Sequence, residues 1–452
     1  MIQKQLRDFL AKTQQIMRQK DRFGDIRSSV VIKPKKEELA FVEDIITKFI
    51  DDPDENVDLL LKNCGYLEYI SEDFVEQLSQ TNFYINLTNL IVDNEQAYKA
   101  FYIIAGAISQ ISNFTNSFFR QITIDRDTLL SKYVDKFFII DEYNDNKTKK
   151  ILNRDLSFFQ IIDELMTVVP GNADYIDLIV ALEECISKIL SIQDDHMKNI
   201  LSNWGITEIT QRRIYKNAGI QIIFHRSIRL LIQIVENPYV KAAKAISFAQ
   251  DMVLTKTFCY NDQYGFTHEI SDSDMEKMIC DSLFLLSKIC FHLGRLTASF
   301  ANNPLIDRLI YLLANGTLEI KSHTLNAINQ ICCGMFNKPV IMLIDKGLLE
   351  LLISFIQEYP EKADQAFCVA YSICLFGVDY VEKICESGFV DLIISAVDEG
   401  TYDVQCSAIY LVSNILFYGN FESIRKIINT QIFNTMIEII EEDCSYISCI
   451  LN

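Results

Sequence analysis

The residue types that could bind a metal ion are few and scattered in this chain. The five histidines are His196, His225, His268, His292 and His323. Thirteen cysteines are present, but they form no CxxC pair, and we find no histidine paired with cysteine or glutamate at a recognised zinc-motif spacing. Because zinc sites are usually recognised from such spacings, we expect no metal ion and no cofactor.

Patterns typical of catalytic sites are also missing from the sequence. We find no glycine-rich phosphate loop, no Ser/His/Asp order with supporting context, and no dense carboxylate pair. The sequence therefore predicts that the chain is not an enzyme. Most cysteines lie inside apolar helical runs, which favours reduced, buried thiols in an intracellular compartment over disulfides.

One set of positions does recur at a regular spacing in the last third of the chain. Four similar helical motifs align on Lys288, Asn329, Ser372 and Asn414, at steps of 41, 43 and 42 residues. A second series of apolar runs keeps the same period and opens at Leu305, Leu348, Phe389 and Ile432. A period of about 42 residues indicates armadillo or HEAT units of two or three helices each.

Composition agrees with a helical repeat protein. The chain has 452 residues, of which 49% are hydrophobic, and it contains only 15 glycines and 7 prolines. Few turn residues favour helices with short connections over a β-rich fold. We therefore predict an all-α fold, a right-handed α-solenoid superhelix of armadillo or HEAT type, with its best-formed repeats at 280–445. Two polar segments, 141–150 and 259–274, are predicted to be inserted surface loops, and 237–252 to be another inner helix.

Charge divides the chain into two predicted parts. The net charge is −19 overall, yet residues 1–36 carry +7, so the remaining residues carry −26. We predict a basic N-terminal arm at 1–36 and a repeat body at 37–452. An acidic body repels nucleic acid and suits a cationic partner, and a basic arm is attracted to that body. Alternatively, the arm is a solvated basic helix without a partner.

Membrane and secretory segments are not indicated by the sequence. The N-terminus MIQKQLRDFLAK is charged throughout and lacks the apolar run of a secretory signal. The longest apolar stretches are far shorter than the ~20 residues that a membrane helix needs. We therefore expect a soluble protein without membrane insertion, in the cytoplasm and the nucleus.

The C-terminal motifs resemble the repeats of importin α, the adaptor that carries nuclear-localisation signals. The inner helix of that family reads roughly A-x-W-x-[IL]-S-N-[IL]. Ala408, Ser413, Asn414 and Ile415 match it, with Tyr410 in the place of the tryptophan. Asn329 stands in the asparagine place of another repeat, whereas Phe284 and Lys288 occupy the aromatic and asparagine places of the repeat at 283–294.

This resemblance implies a peptide-binding groove. In the family, asparagine side chains clamp the backbone of an extended basic peptide, and aromatic rings hold lysine stems beside acidic charge. The implied cargo-binding residues are Asn414, Tyr410, Asn329 and Phe284. The arm resembles the importin-β-binding segment of the family, which implies that Arg22, Arg27, Lys33, Lys35 and Lys36 bind importin β or compete for the groove.

Several positions depart from the family pattern and leave a second interpretation open. The only tryptophan is Trp204, in a segment that reads as a loop, and Leu325 replaces an aromatic residue. Lys288 would oppose a basic peptide. Asn414 and Asn329 could instead bond a neighbouring helix, and Tyr410 and Phe284 could belong to the core. The sequence thus predicts a nuclear transport adaptor for basic signal peptides or, alternatively, an armadillo scaffold without a transport role.

Overall fold

A computed structural model describes most of the body of the protein. The described residues are 36–93, 95–108, 119, 121–125, 128–129, 155–168, 175–192, 201, 204–216, 221–237, 245–255, 259–261, 267–269, 271–292, 301, 303–334, 336–428, 430 and 432. The arm residues Arg22, Arg27, Lys33 and Lys35, the 141–150 segment and the chain after 432 lie outside them. Lys36 begins the first helix, but its side chain is not among those described.

Twenty α-helices make up nearly all of the described chain. The first ten are α1 (Lys36–Asp51), α2 (Pro53–Lys62), α3 (Glu72–Leu78), α4 (Phe83–Val92), α5 (Ala97–Ala107), α6 (Phe158–Val168), α7 (Ile176–Ser191), α8 (Ile206–Lys216), α9 (Gln221–Glu236) and α10 (Ala245–Leu254). The second ten are α11 (Asp272–His292), α12 (Asn303–Asn315), α13 (Leu318–Cys332), α14 (Lys338–Asp345), α15 (Leu348–Glu358), α16 (Ala363–Cys374), α17 (Val378–Glu386), α18 (Phe389–Glu399), α19 (Tyr402–Tyr418) and α20 (Phe421–Ile428). Short 3₁₀ helices at Cys64–Tyr69 and Pro360–Lys362 join their neighbours.

The helices stack in rows that run from one end of the described body to the other. In the row that we call the inner row, each helix packs on the next in the order α5, α7, α9, α11, α13, α16, α19. A second row is formed in the same way by α6, α8, α10, α12, α15 and α18. Each second-row helix also packs on the inner helix that follows it in sequence. Since one unit cannot bury both of its faces, stacking in two rows encloses a continuous apolar core.

The C-terminal units have three helices each. The short helix α14 precedes α15 and α16, and α17 likewise precedes α18 and α19. The chain turns sharply into the second-row helix at Gly347 (φ 89°) and at Gly388 (φ 100°). Positive φ favours glycine because it has no Cβ. Three helices per 42-residue period indicate an armadillo type of unit.

Two short antiparallel strand pairs interrupt this helical body. Thr123–Asp125 pairs with Asp155–Ser157, and Cys259–Asn261 pairs with Thr267–Glu269. The second pair is part of the polar segment predicted as an inserted loop, and it separates α10 from α11. The segment 237–252 was wrongly predicted as an inner helix, since α10 packs in the second row.

Two further sequence expectations concern cysteines and membrane spans. The ten cysteines whose side chains are described are all free thiols, and most of them are buried. Within the described residues, no helix combines the length and the apolar character that crossing a bilayer demands.

Candidate functional site

The C-terminal units expose a continuous polar and aromatic stripe on the inner row. Residues three and four apart share one helix face, and on α16 and α19 such a face holds half-buried and exposed side chains between buried ones. We call this stripe the C-terminal inner face; it comprises Asp364, Cys368, Tyr371, Asp403, Ser407 and Tyr410. Its members pair across the two helices, with Cys368 Sγ 3.6 Å from Ser407 Oγ and the Tyr371 and Tyr410 rings 6.2 Å apart, edge to face.

Carboxylates stand at one end of this face. Glu319, Asp364 and Asp403 lie in the first turns of α13, α16 and α19, three successive inner helices. A helix N-terminus favours negative charge there, so the positions suit the helices as well as a ligand. Burial raises the pKa of Asp364 above its ordinary value, and the charge of Asp403 adds to that shift. The end of the face therefore carries a group of carboxylates, and Lys362 is the cation that opposes the raised pKa of Asp364.

Asn414 contacts the neighbouring inner helix. Its side chain is almost fully buried, and its Nδ2 donates a hydrogen bond to the carbonyl oxygen of Tyr371 at 3.1 Å. This bond to a neighbouring backbone is the alternative that the sequence left open. Tyr410, one turn earlier, is half-buried and keeps part of its ring on the C-terminal inner face. The cargo-binding role of both residues stays a prediction.

Asn329 makes a similar connection between units. Its Oδ1 accepts a hydrogen bond from Ser372 Oγ at 2.7 Å, and Cys333 Sγ lies 3.9 Å from the same oxygen. Asn329 and Ser372 occupy equivalent motif positions 43 residues apart, so the repeat motif itself joins the two helices. The Nδ2 amide of Asn329 lies outside these two contacts, and the side chain is half-buried.

Phe284 has cations of the chain itself over its ring. The Arg229 guanidinium lies 5.0 Å from the ring centroid, and Lys288 Nζ lies 5.4 Å from it. His323 approaches edge to face, at 6.4 Å between centroids. A lysine from a peptide would have to displace these groups to use this ring. The structure thus places Phe284 in a different electrostatic setting from Tyr410.

The central inner helices carry a network of ion pairs that sequence reasoning missed. A cleft of about 240 Å³ lies between α7 and α9 and is lined by both signs of charge. Ser227 Oγ donates to Glu183, and Arg226 lies 3.6 Å from Glu183 and 3.7 Å from Glu184. Burial raises the pKa of Glu183 to about 7, opposed by Ser227 and by Arg213 and Arg226. The acidic and basic side chains of this cleft therefore lie close to one another.

The network continues onto α11 by way of histidines. His225 Nδ1 lies 2.9 Å from both carboxylate oxygens of Asp281, and His292 Nε2 lies 3.3 Å from Glu236. Burial raises the pKa of Asp281, with His225 as the main opposing group. The sequence signal was the polar spacing within FHRSIRLL, which lies in α9.

The second row holds further buried polar groups, and Trp204 is among them. Trp204 is 9% exposed, donates from Nε1 to Asp163 Oδ1 at 2.7 Å and meets the Phe159 ring edge-on at 5.2 Å. Arg213 is 2% exposed and donates from Nη1 to the carbonyl of Met166 at 2.7 Å. Burial lowers the pKa of Arg213 to about 10, and Glu183 opposes this. Trp204 therefore packs in the core and not on the inner face.

Comparisons with known proteins bear on the fold. No protein-family model matches the chain, and no curated protein matches it in sequence. An engineered protein of the Northeast Structural Genomics Consortium is similar in structure, with a TM-score of 0.50 and 14% identity over 91% of this chain and 98% of that one. At this identity the likeness shows the fold alone.

Two shorter designed proteins are also similar. A designed armadillo repeat protein in complex with the peptide (KR)4 has a TM-score of 0.43 and 17% identity over 55% of this chain and 98% of that one. A crystal structure of computationally designed armadillo repeat proteins for modular peptide recognition has a TM-score of 0.33 and 17% identity, covering 56% and 90%. The three-helix units and the stacked rows, together with the likeness to the engineered protein of TM-score 0.50, show an all-α repeat solenoid of the armadillo type.

Proposed function

We propose that this protein is a non-enzymatic adaptor that binds an extended, basic peptide along its C-terminal inner face. The observation that carries the proposal is the tyrosine pair, Tyr371 and Tyr410, which lies about two helical turns along the same face from two carboxylates, Asp364 and Asp403. Aromatic rings accept the apolar stem of lysine or arginine, and the carboxylates attract its charge.

The central inner face is a poorer candidate for the same ligand. There Arg226, Arg229 and Lys288 already pair with carboxylates or cover Phe284. A basic peptide at this place would have to break existing pairs and face like charges. This difference between the two regions supports the C-terminal units as the place where a cationic ligand binds.

The finer form of the proposal is a transport role. The resemblance of the C-terminal motifs to importin α supports cargo with basic signal peptides, carried between cytoplasm and nucleus. The +7 charge of residues 1–36 supports importin β as the partner of the arm, through Arg22, Arg27, Lys33, Lys35 and Lys36. The alternative keeps the peptide-binding face and assigns the protein to a scaffold without importin β.

Peptide binding is tested with a fluorescein-labelled lysine- and arginine-rich peptide in an anisotropy titration. The double variant Asp364→Asn/Asp403→Asn should weaken binding about tenfold, because two charge-assisted contacts are lost. Asp391→Asn/Asp398→Asn is the matched control, since it removes the same charge from exposed positions on α18 of the second row. Equal affinities of both variants would place the peptide elsewhere.

The transport role needs a separate test. Purified importin β should be captured by the full chain and lost by the variant Arg27→Glu/Lys33→Glu/Lys35→Glu/Lys36→Glu. If the peptide binds but importin β is not captured by either protein, the scaffold alternative is correct. Peptide binding should also weaken from low to high salt, since exposed charges are screened.

A further inference from the structure

Three residues with metal-binding side chains meet between α11 and α13. Cys280 lies on α11, and Glu319 and His323 lie one turn apart on α13. A thiol sulfur, a carboxylate oxygen and an imidazole nitrogen from these residues all lie within 4.8 Å of one another. Because Cys280 lies on a different helix, far from Glu319 and His323 in sequence, no short sequence motif contains the three residues.

The geometry points to a Zn²⁺ site, and we propose that Cys280, Glu319 and His323 bind this ion. Zn²⁺ takes Cys, His and carboxylate ligands at ~2.0–2.3 Å, so tetrahedral ligands stand about 3.3–3.8 Å apart. The three side chains need to approach by roughly 1 Å from their present spread. Glu319 is exposed and can rotate, whereas Cys280 is held in the helix interface.

The donor set selects among metal ions. Magnesium and calcium prefer oxygen ligands, while a thiolate with an imidazole suits the softer Zn²⁺. One thiolate and one carboxylate would neutralise the charge of the ion. Glu319 and His323 stand four residues apart on one helix, so both side chains point to the same side.

The surroundings of the group are consistent with cation binding. Glu276, one turn before Cys280 on α11, accepts a hydrogen bond from Thr317 Oγ1 and keeps a further carboxylate nearby. The Phe284 ring packs edge to face with His323 and limits where the imidazole can turn. Arg229 is the opposing charge, and it lies over Phe284.

Three protein ligands leave the fourth position for a water molecule or a side chain of a partner. The ion would tie α11 to α13, two inner-row helices that pack along their length. The metal site shares Glu319 with the carboxylate end of the C-terminal inner face, but neither Asp364 nor Tyr410 is involved, so the two kinds of binding can be tested separately.

The test uses the full chain, stripped with a chelator and titrated with Co²⁺ as a spectroscopic substitute for Zn²⁺. We expect one equivalent to produce a thiolate-to-cobalt charge-transfer band, which Zn²⁺ then displaces. Cys280→Ser should abolish the band. His323→Gln and Glu319→Gln should weaken binding by at least about tenfold, the low end of what even an outer-shell substitution costs.

Matched controls separate this site from the other thiols and imidazoles. Cys290→Ser changes another buried cysteine of α11, and His292→Gln changes the histidine at the end of that helix. Both should keep the band and its affinity. The proposal is overturned if the native chain shows no stoichiometric band, or if the band survives in Cys280→Ser or keeps its affinity in His323→Gln. His323 is half-exposed, so we expect His323→Gln to fold. This variant keeps the test valid if Cys280→Ser does not fold.

Discussion

Neighbouring inner helices are joined by different kinds of side-chain contact in the central and the C-terminal units. Between α7 and α9, neighbouring inner helices are joined by charged groups such as Glu183 and Arg226. Between α13, α16 and α19, they are joined by neutral hydrogen bonds, which Asn329 accepts from Ser372 and Asn414 donates to the carbonyl of Tyr371. The difference shows that a repeat fold fixes where adjacent helices touch, while leaving open which side chains make the contact.

This difference has consequences for binding. In the central units, acidic and basic side chains pair with each other. Their charges largely cancel, so the central inner face attracts a charged ligand only weakly. In the C-terminal units the contacts between inner helices are neutral hydrogen bonds, and Lys362 is the cation that opposes the raised pKa of Asp364. The C-terminal units, whose motifs resemble peptide-binding repeats, are therefore also the units whose acidic side chains would attract a cationic peptide.

The two regions also differ in the regularity of their repeats. Asn329 and Ser372 touch across 43 residues of sequence, whereas His225 and Asp281 touch across 56. The longer interval contains the strand pair between Cys259 and Glu269. An insertion of this kind lengthens the period without moving the helices out of their rows.

The largest effect is expected where a buried charge loses its partner. Glu183→Met removes the carboxylate whose charge offsets the burial of Arg213, and it leaves Arg226 without its partner at 3.6 Å. Leaving a buried charge uncompensated costs roughly 3–5 kcal/mol of unfolding free energy. Urea unfolding followed by Trp204 fluorescence measures this loss, since Trp204 lies in the same part of the second row.

Two companion variants sharpen this result. Asp307→Asn removes a carboxylate 2.8 Å from Lys346 in the C-terminal region, but both side chains are exposed, so the unfolding midpoint should hardly change. The double variant Glu183→Met/Arg213→Met should recover most of the lost stability, because it also removes the stranded charge. If both single variants were equally destabilised, the two regions would not differ as described.

The sequence predicted the C-terminal units well, for a physical reason. Those units keep one apolar period, so Leu305, Leu348 and Phe389 fall at equivalent places and are all buried. The central network could not be predicted in this way, because a glutamate such as Glu183 reads as solvent-facing in a helical pattern. The cluster at Cys280 depends on two helices meeting, which residue spacing alone does not encode.

An intermediate effect is expected from Asp163, whose carboxylate accepts the Trp204 hydrogen bond. Burial raises the pKa of Asp163 to about 6 from an ordinary 3.8. Because the unfolded chain loses this proton first, Asp163 lowers stability as pH rises from about 4 to about 6. Asp163→Asn should therefore gain on the order of 2 kcal/mol over the native chain between those pH values.

Trp204 supplies a direct measurement of this titration. Its fluorescence in the native protein should change with a midpoint near pH 6, and Asp163→Asn should remove that midpoint while far-UV circular dichroism stays constant. Asp364→Asn serves as the control from the C-terminal region. Its carboxyl also has a raised pKa, but it is half-exposed, so the stability difference should be smaller. An unchanged Trp204 titration in Asp163→Asn would assign the proton to another group.

The smallest effect on stability is expected from the hydrogen bond between Asn329 and Ser372, which joins two C-terminal units. Asn329→Ala and Ser372→Ala each remove one side of the same 2.7 Å hydrogen bond. A double-mutant cycle on thermal unfolding should give a coupling energy of about 0.5–1 kcal/mol, since the pair is neutral and partly buried. Asn329→Ala with Ser413→Ala is the control, because Ser413 Oγ bonds the carbonyl of Ile409 within its own helix. A coupling near zero for the first pair would mean that Asn329 does not hold the helices together, and its amide would then be explained better by a ligand than by the fold.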